Sequence, residues 1–251
     1  MDVTGKVQMK NDSTIPDWRK IGTALRAFWS VFFKPEKARR LGGVLNGQIG
    51  RRSLLVRLGA EFQPQMVVET GAHRGVTTKF LAQTFGVKTI SCEIHPDYFW
   101  EGRWRTLPQR NCRIFPEDTR EFLRRIGSRM KTPEDRVLIY LDAHWDPQDL
   151  PLLEELKIIH SQIRHAIILI DDFRHPEDPG YGFDEYAGGV NIELKLLKQA
   201  DPAFHQVFFP VMASSQETGM KRGSAYLGLG SGLTLLETCK ELKKFSAASG
   251  L

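Results

Sequence analysis

Three carboxylates and one histidine are spaced so that they could do chemistry together. Asp142 and His144 follow the apolar run Val137–Leu141, and Asp171 and Asp172 follow Ala166–Ile170. If those runs are neighbouring strands, their ends lie about 5 Å apart. Three carboxylates that close repel one another unless some are protonated or a cation sits between them. All-oxygen donors favour a hard ion such as magnesium, with water or substrate oxygens completing its shell. His144 has the pKa class of a general base, and a metal nearby would ease removal of a proton from a substrate hydroxyl. The competing reading has these acids capping the helices that follow or pairing with nearby bases. His175 is the weaker candidate for the base.

A second group of residues suggests a ligand. Val68 to Thr77 reads Val-Glu-Thr-Gly-Ala-His-Arg-Gly-Val-Thr, an apolar run entering a Gly-x-x-x-Gly turn. Gly71 and Gly75 allow a tight turn and close approach of a ligand. The free N–H groups of the next helix suit an anionic group such as a carboxylate. Glu69, just before the turn, disfavours a pyrophosphate and favours a cationic or amine-bearing ligand. Glu93 ends the next run, 18 residues beyond Gly75, where an acid can accept both hydroxyls of a ribose. The third run ends in Glu117-Asp118-Thr119, whose carboxylate and neighbouring amides could bind an exocyclic amine or simply cap a helix.

Elements that would position these residues can be read from periodicity. Short apolar runs at Met66–Val68, Thr89–Cys92, Cys112–Phe115, Val137–Leu141 and Ala166–Ile170 alternate with helical patterns near 77–85, 97–107, 119–126 and 150–163. Such alternation implies βαβ units, right-handed crossovers and a mainly parallel sheet covered on both faces. A helix over Val190–Gln199 and closing strands at Phe204–Val211 and Ser224–Leu229 complete the expectation. It is a Rossmann-like, doubly wound, mostly parallel α/β sheet of seven strands. The long loop Arg174–Gly189, with Tyr181, Phe183 and Tyr186, suits a substrate lid or an irregular connection. Upstream, Trp18, Ile21, Leu25, Phe28, Trp29, Phe32 and Phe33 recur at spacings of three and four, marking an amphipathic helix from Pro16 to Phe33. A second helix is expected over about Gln48–Ala60. Residues 1–60 then form an N-terminal helical extension and 61–251 the main domain.

Composition narrows the class of protein. The 251 residues are 41% hydrophobic and 26% charged, which argues against disorder or a fibrous repeat. Net charge is +5, yet Arg19–Arg57 holds ten Lys or Arg and one acid, leaving −4 for the rest. The basic excess therefore belongs to the extension and is weak evidence for nucleic acid. Three cysteines at irregular spacing give neither a disulfide framework nor a zinc pattern. With no signal-peptide pattern and no apolar run near the ~20 residues of a membrane span, the expected location is the cytoplasm.

Acids ending three successive strands after a glycine turn resemble the class I S-adenosylmethionine-dependent methyltransferases, over roughly Gln65 to Leu229. That resemblance implies roles for the matched positions. Glu69, Gly71 and Gly75, with Thr77 beside them, would shape the pocket for the methionine moiety. Glu93 would hold the ribose, and Asp118 with Thr119 the adenine end. The pair Asp142-Ala143-His144-Trp145 and Ile170-Asp171-Asp172 is similar to metal-dependent O-methyltransferases acting on macrolide sugars, and to cephalosporin-hydroxylase-like proteins. Leu45-Asn46-Gly47-Gln48 followed by Arg51 or Arg52 resembles bacterial members of that group. The resemblance implies Mg²⁺ or another hard cation on Asp142, Asp171 and Asp172, His144 as base, and a small hydroxylated substrate such as a sugar. It also leaves a nucleic-acid methyltransferase and a non-catalytic cofactor-binding regulator as alternatives. The aromatic, basic segment 16–40 would pack as a cover helix, form a homo-oligomer contact or lie on a membrane surface.

Overall fold

The structure is a computed structural model and describes residues 17–34, 36, 42–127, 132, 134–144 and 148–247. It opens with helix α1 (Asp17–Phe33) and, after a short 3₁₀ turn at Val44–Gly47, helix α2 (Ile49–Phe62). The alternation then runs β1 (Met66–Thr70), α3 (Val76–Phe85), β2 (Lys88–Cys92), α4 (Pro96–Thr106), β3 (Cys112–Phe115), α5 (Thr119–Gly127), β4 (Arg136–Leu141), α6 (Leu152–Gln162) and β5 (His165–Asp171). A two-residue ladder follows, β6 (Glu185–Tyr186) with β7 (Val190–Asn191), and a single helical turn, α7 (Leu194–Leu197). The chain closes with β8 (Gln206–Pro210), β9 (Ser224–Leu229), α8 (Ser231–Thr238) and β10 (Leu242–Ser246).

The main sheet has the order β10-β8-β9-β5-β4-β1-β2-β3. Strands β1 to β5 are parallel, β9 runs antiparallel between β5 and β8, and β10 runs antiparallel to β8. Strand order reverses between β1 and β4, so a crevice opens beyond the carboxyl ends of those strands. Burial alternates along each central strand, as side chains alternate across a sheet. Val137, Ile139 and Leu141 enter the core under α5, α6 and α7, whereas Leu138 and Tyr140 enter the core under α2, α3 and α8. In β5, Ile168 and Ile170 face the first layer, and Ile167 and Leu169 the second.

Two expectations are corrected. The sheet has eight strands, not seven, because β10 adds an outer strand. Its sequence Leu-Lys-Lys-Phe-Ser exposes both lysines, as an edge strand with an unpaired side can, so it lacks an apolar run. The helix expected over Val190–Gln199 is mostly absent: Val190 pairs with Tyr186, and only Leu194–Leu197 turns helically. Packing also carries the body of the fold back before residue 61. Leu45, Leu54, Leu55, Leu58 and Phe62 are buried in the second core layer, so α2 is one of the sheet's covering helices.

Candidate active site

The turn after β1 has the backbone its glycines allow. Gly71 and Gly75 have φ of 77° and 71°, and Gly75 caps the N-terminus of α3. A Cβ on Gly71 would overlap the backbone of Asp142, so this turn and the end of β4 touch through a position that only glycine fills. Two clefts meet at Gly71. One is lined by Asn46, Glu69, Thr77, Tyr140 and Asp142, the other by Glu93, Asp118, Thr119, Arg120 and Ala143. The expected cofactor residues are thus gathered on both sides of one glycine.

Their bonding is specific. Glu69 is buried and accepts from the Thr78 hydroxyl. Glu93 accepts from the amides of His73 and His95, both at 2.7 Å, tying the glycine turn to the end of β2. Thr77 accepts from the Leu45 amide at 3.3 Å, which brings the upstream segment against the first cleft. Asp118 accepts from the Arg120 amide at 2.8 Å and the Arg120 guanidinium at 3.2 Å. It therefore acts as a helix cap, and it also lines the second cleft. Thr119 faces the same cleft beside Glu155, a fully buried acid on α6 that sequence reasoning missed.

Apart from Asp118, which pairs with Arg120, these acids are held up by burial. Burial pushes Glu69 up to about 7 against the opposing hydroxyl bonds of Thr78 and Ser91, and neighbouring Glu93 adds to the rise. Burial likewise raises Glu155 to about 7, and raises Glu93. Asp142 is held well above the carboxylate range, first by burial and then by Asp171, Asp172 and Glu69. A cationic ligand in this crevice would stabilise the ionised acids, which is the physical meaning of the clustering.

The Glu69 shift gives a pH-dependent expectation with a definite sign. Between pH 4.5 and 7 the folded protein keeps the Glu69 proton that the unfolded chain has released. The contribution of Glu69 to stability therefore falls as pH rises through that window and is constant above it. Glu69→Gln keeps an acceptor for Thr78 and removes the penalty. It should match the parent near pH 4.5 and exceed it by up to about 3 kcal/mol above pH 7. Urea unfolding across that range checks this, and a pH-independent difference would refute it.

The reaction end of the sheet differs from the expectation. Strands β4 and β5 do pair in parallel, with Leu141 opposite Ile170, so Asp142 and Asp171 end adjacent strands. By strand parity Asp171 falls on the face of Ile167 and Leu169, the face covered by α2. There it meets Arg51. The two side chains form an ion pair, each only 1% exposed. Asp171 also accepts from Asn46 at 2.9 Å, from the Tyr140 hydroxyl and from the Asp172 amide at 2.8 Å. Both carboxylate oxygens are thus supplied with donors. Burial alone would lower the Arg51 pKa, but Asp171, Tyr140 and Tyr226 more than offset it and hold the guanidinium charged. Asp172, in the left-handed region at φ 53°, pairs with Arg222, which also binds Asp184 from the 174–189 loop.

This donor set does not fit a hard divalent ion. Asp171 is saturated by donors that include a guanidinium, and Asp172 is paired with a second one. Among the described residues no group of three or more His, Cys, Asp or Glu side chains could hold a metal ion. The competing reading of the sequence, acids paired with nearby bases, describes Asp171 and Asp172.

His144 is buried, 4% exposed, and among the described residues neither ring nitrogen makes a well-formed hydrogen bond. Burial pushes it down to about 4 despite the opposing charges of Asp171 and Asp184. Its carbonyl accepts from Tyr186 of β6. It lines neither cleft that meets at Gly71, unlike Asp142 and Ala143. Trp145, Asp146 and Pro147, which complete that motif, lie outside the described residues.

The segment Asn46–Arg51 is gripped by the loop between β8 and β9. Glu217 accepts from the amides of Gly50 and Arg51 at 3.0 and 2.9 Å, and Gln48 accepts from the Arg222 amide at 2.7 Å. Arg51 also donates to the carbonyls of Arg222 and Gly223. The sequence carries a signal for this. Arg51 stands three and four residues before Leu54 and Leu55, hence on the buried face of its helix, where an arginine needs partners.

Comparison with known proteins gives the fold. No family model matches the chain, and no curated protein matches it significantly. Solved structures do. The O-methyltransferase TomG from Streptomyces achromogenes, involved in tomaymycin synthesis and solved with S-adenosylmethionine, superposes with a TM-score of 0.54 at 14% identity. That match covers 83% of this chain and 90% of TomG. The O-methyltransferase from Bacillus cereus, solved with S-adenosylhomocysteine, gives 0.55 at 16% identity, over 87% of this chain and 94% of that one. The chain has the class I methyltransferase fold. Within it, the glycine turn after β1 flanks the switch point and the acid following β2 ends the next strand outward, beside the crevice in which open α/β sheets take ligands.

Proposed function

We propose that the protein transfers the methyl group of S-adenosylmethionine to an oxygen of a small hydroxylated acceptor such as a sugar. One observation carries this reading: two acid-lined clefts meeting at Gly71, with Glu69 and Glu93 ending successive strands beside it. The residues fit the cofactor. Glu69, Gly71, Gly75 and Thr77 would hold the methionine moiety, Glu93 the ribose, and Asp118 with Thr119 the adenine end. When bound, the cofactor supplies an electrophilic methyl on a sulfonium, a cation suited to buried acids.

Asp142, at the junction of the clefts, would accept from an acceptor hydroxyl and orient it. His144, two residues beyond Asp142 and held neutral at pH 7 by burial, lies outside both clefts and would take the hydroxyl proton from an acceptor that reaches it past Asp142. Most of the rate should come from alignment of the nucleophile and the methyl. Arg51 and Arg222 neutralise Asp171 and Asp172 without a metal, so no step of this mechanism runs through one. A nucleic-acid acceptor gains little support, since Arg51 is buried and Arg52 lies over the Phe80 ring.

Methyl-labelled cofactor incubated with a panel of hydroxylated sugars and phenols tests the proposal. The full chain should label a member of the panel. His144→Ala should lower turnover about 10²–10⁴-fold while leaving cofactor affinity unchanged. Unchanged turnover rejects His144 as the base, and cofactor binding without transfer to any acceptor favours a binding protein over an enzyme.

A further inference from the structure

Helix α1 has three sides. Its inner side packs on α4: Ala27 is buried, the Trp104 indole N–H donates to the Ala24 carbonyl at 2.8 Å, and Phe28 meets the Trp104 ring edge-on at 5.3 Å. Its second side is apolar and open. Ile21, Leu25, Trp29, Phe32 and Phe33 are each more than half exposed. Leu25 and Trp29 follow Ile21 at spacings of four, and Phe32 and Phe33 lie three and four residues beyond Trp29, which places all five on one arc. Trp29 stacks on Phe33 at 4.1 Å and Phe28 packs against Phe32 at 4.6 Å, so the arc is a continuous aromatic surface.

The third side is basic. Arg26 has a side chain 74% exposed, and its contact with Asp97 at 3.8 Å is across open surface. Lys34 ends the helix, and residues 21–34 contain two cations and no acid. The charged residues that follow in the sequence are Glu36, Lys37, Arg39 and Arg40. A contiguous apolar surface of this kind on a monomer marks an interaction site.

We infer that α1 docks the protein on an anionic lipid surface, lying in the plane of the interface. An apolar aromatic arc beside a basic arc is the pattern that inserts at the headgroup boundary while its cations meet anionic lipid. A second copy of the chain could cover the apolar arc but would bring no counter-charge to the basic one, which an anionic surface does. The helix does not cross the bilayer: no described helix is long and apolar enough to do so. This inference stands apart from the proposed catalysis, since no residue of α1 lines either cleft at Gly71.

Co-sedimentation of the full chain with vesicles tests it. The chain should sediment with phosphatidylcholine vesicles containing phosphatidylserine, and much less with phosphatidylcholine alone. Added salt should weaken the binding. Leu25→Glu with Trp29→Glu should lower the partition by at least about tenfold. Arg26→Gln and Lys34→Gln should each lower it about fivefold. The unfolding temperature of the Leu25→Glu, Trp29→Glu variant should not fall, because both positions are exposed. No sedimentation with either vesicle overturns the inference, as does sedimentation indifferent to the double substitution. A concentration-dependent dimer in light scattering, lost in that variant, overturns it in favour of a second copy.

Discussion

Arg51→Met is expected to destabilise the protein by about 3–5 kcal/mol, the cost of leaving one member of a buried ion pair without its partner. Asp171 would keep the Asn46 amide, the Tyr140 hydroxyl and the Asp172 amide as donors, but it would lose the guanidinium that neutralises it. Arg51 also donates to the carbonyls of Arg222 and Gly223, and those acceptors would be left in a site with little water. The double variant Arg51→Met with Asp171→Asn removes both charges and keeps a polar group for Tyr140 and Asn46. It should recover much of the loss, because replacing a whole buried pair is often nearly neutral. Urea unfolding of both variants checks this. A single-variant loss below about 1 kcal/mol, the range of an exposed pair, would mean that Arg51 and Asp171 do not form the buried centre described above.

Gly71→Ala should damage the site from both directions. Its φ of 77° costs an L-residue about 1–2 kcal/mol. The added methyl also meets the Asp142 backbone, where overpacking costs about 1–3 kcal/mol more. The turn after β1 and the end of β4 would have to part, and the two clefts that meet there would separate. Cofactor affinity should fall by at least about tenfold, the equivalent of about 1.4 kcal/mol. Gly86 supplies the control. It has a φ of 67° at the end of α3, with open space where a Cβ would go. Gly86→Ala should therefore carry the backbone cost alone and leave ligand binding unchanged.

Alternating apolar runs were enough to place five parallel strands and the helices between them, because a strand buried on both faces is apolar throughout. Strand β10 escaped that logic, since an edge strand need bury only one side. The residues lining the two clefts at Gly71 are legible because their placement is local: a glycine turn and acids at the ends of successive strands. The reaction half was not. That Asp142 and Asp171 end adjacent strands follows from βαβ topology, but what neutralises Asp171 comes from 120 residues upstream. Spacing along the chain says nothing about such a contact. The segment Leu45–Gln48 followed by Arg51 or Arg52 carries a resemblance, yet the chemistry of Arg51 appears only once α2 lies on the face that strand parity gives to Tyr140 and Asp171. Three carboxylates suggested a cation between them, and the cations that the structure supplies are guanidinium groups.

The central claim is that the crevice at Gly71 binds S-adenosylmethionine. Calorimetric titration of S-adenosylhomocysteine into the full chain tests it most directly, above pH 7 where Glu69 is ionised. One ligand should bind per chain, saturating below about 1 mM, the upper range of enzyme substrate affinities. Binding should weaken in Gly71→Ala and persist in Gly86→Ala. No heat and no competition by S-adenosylmethionine up to that concentration, or equal binding by both glycine variants, would contradict the account.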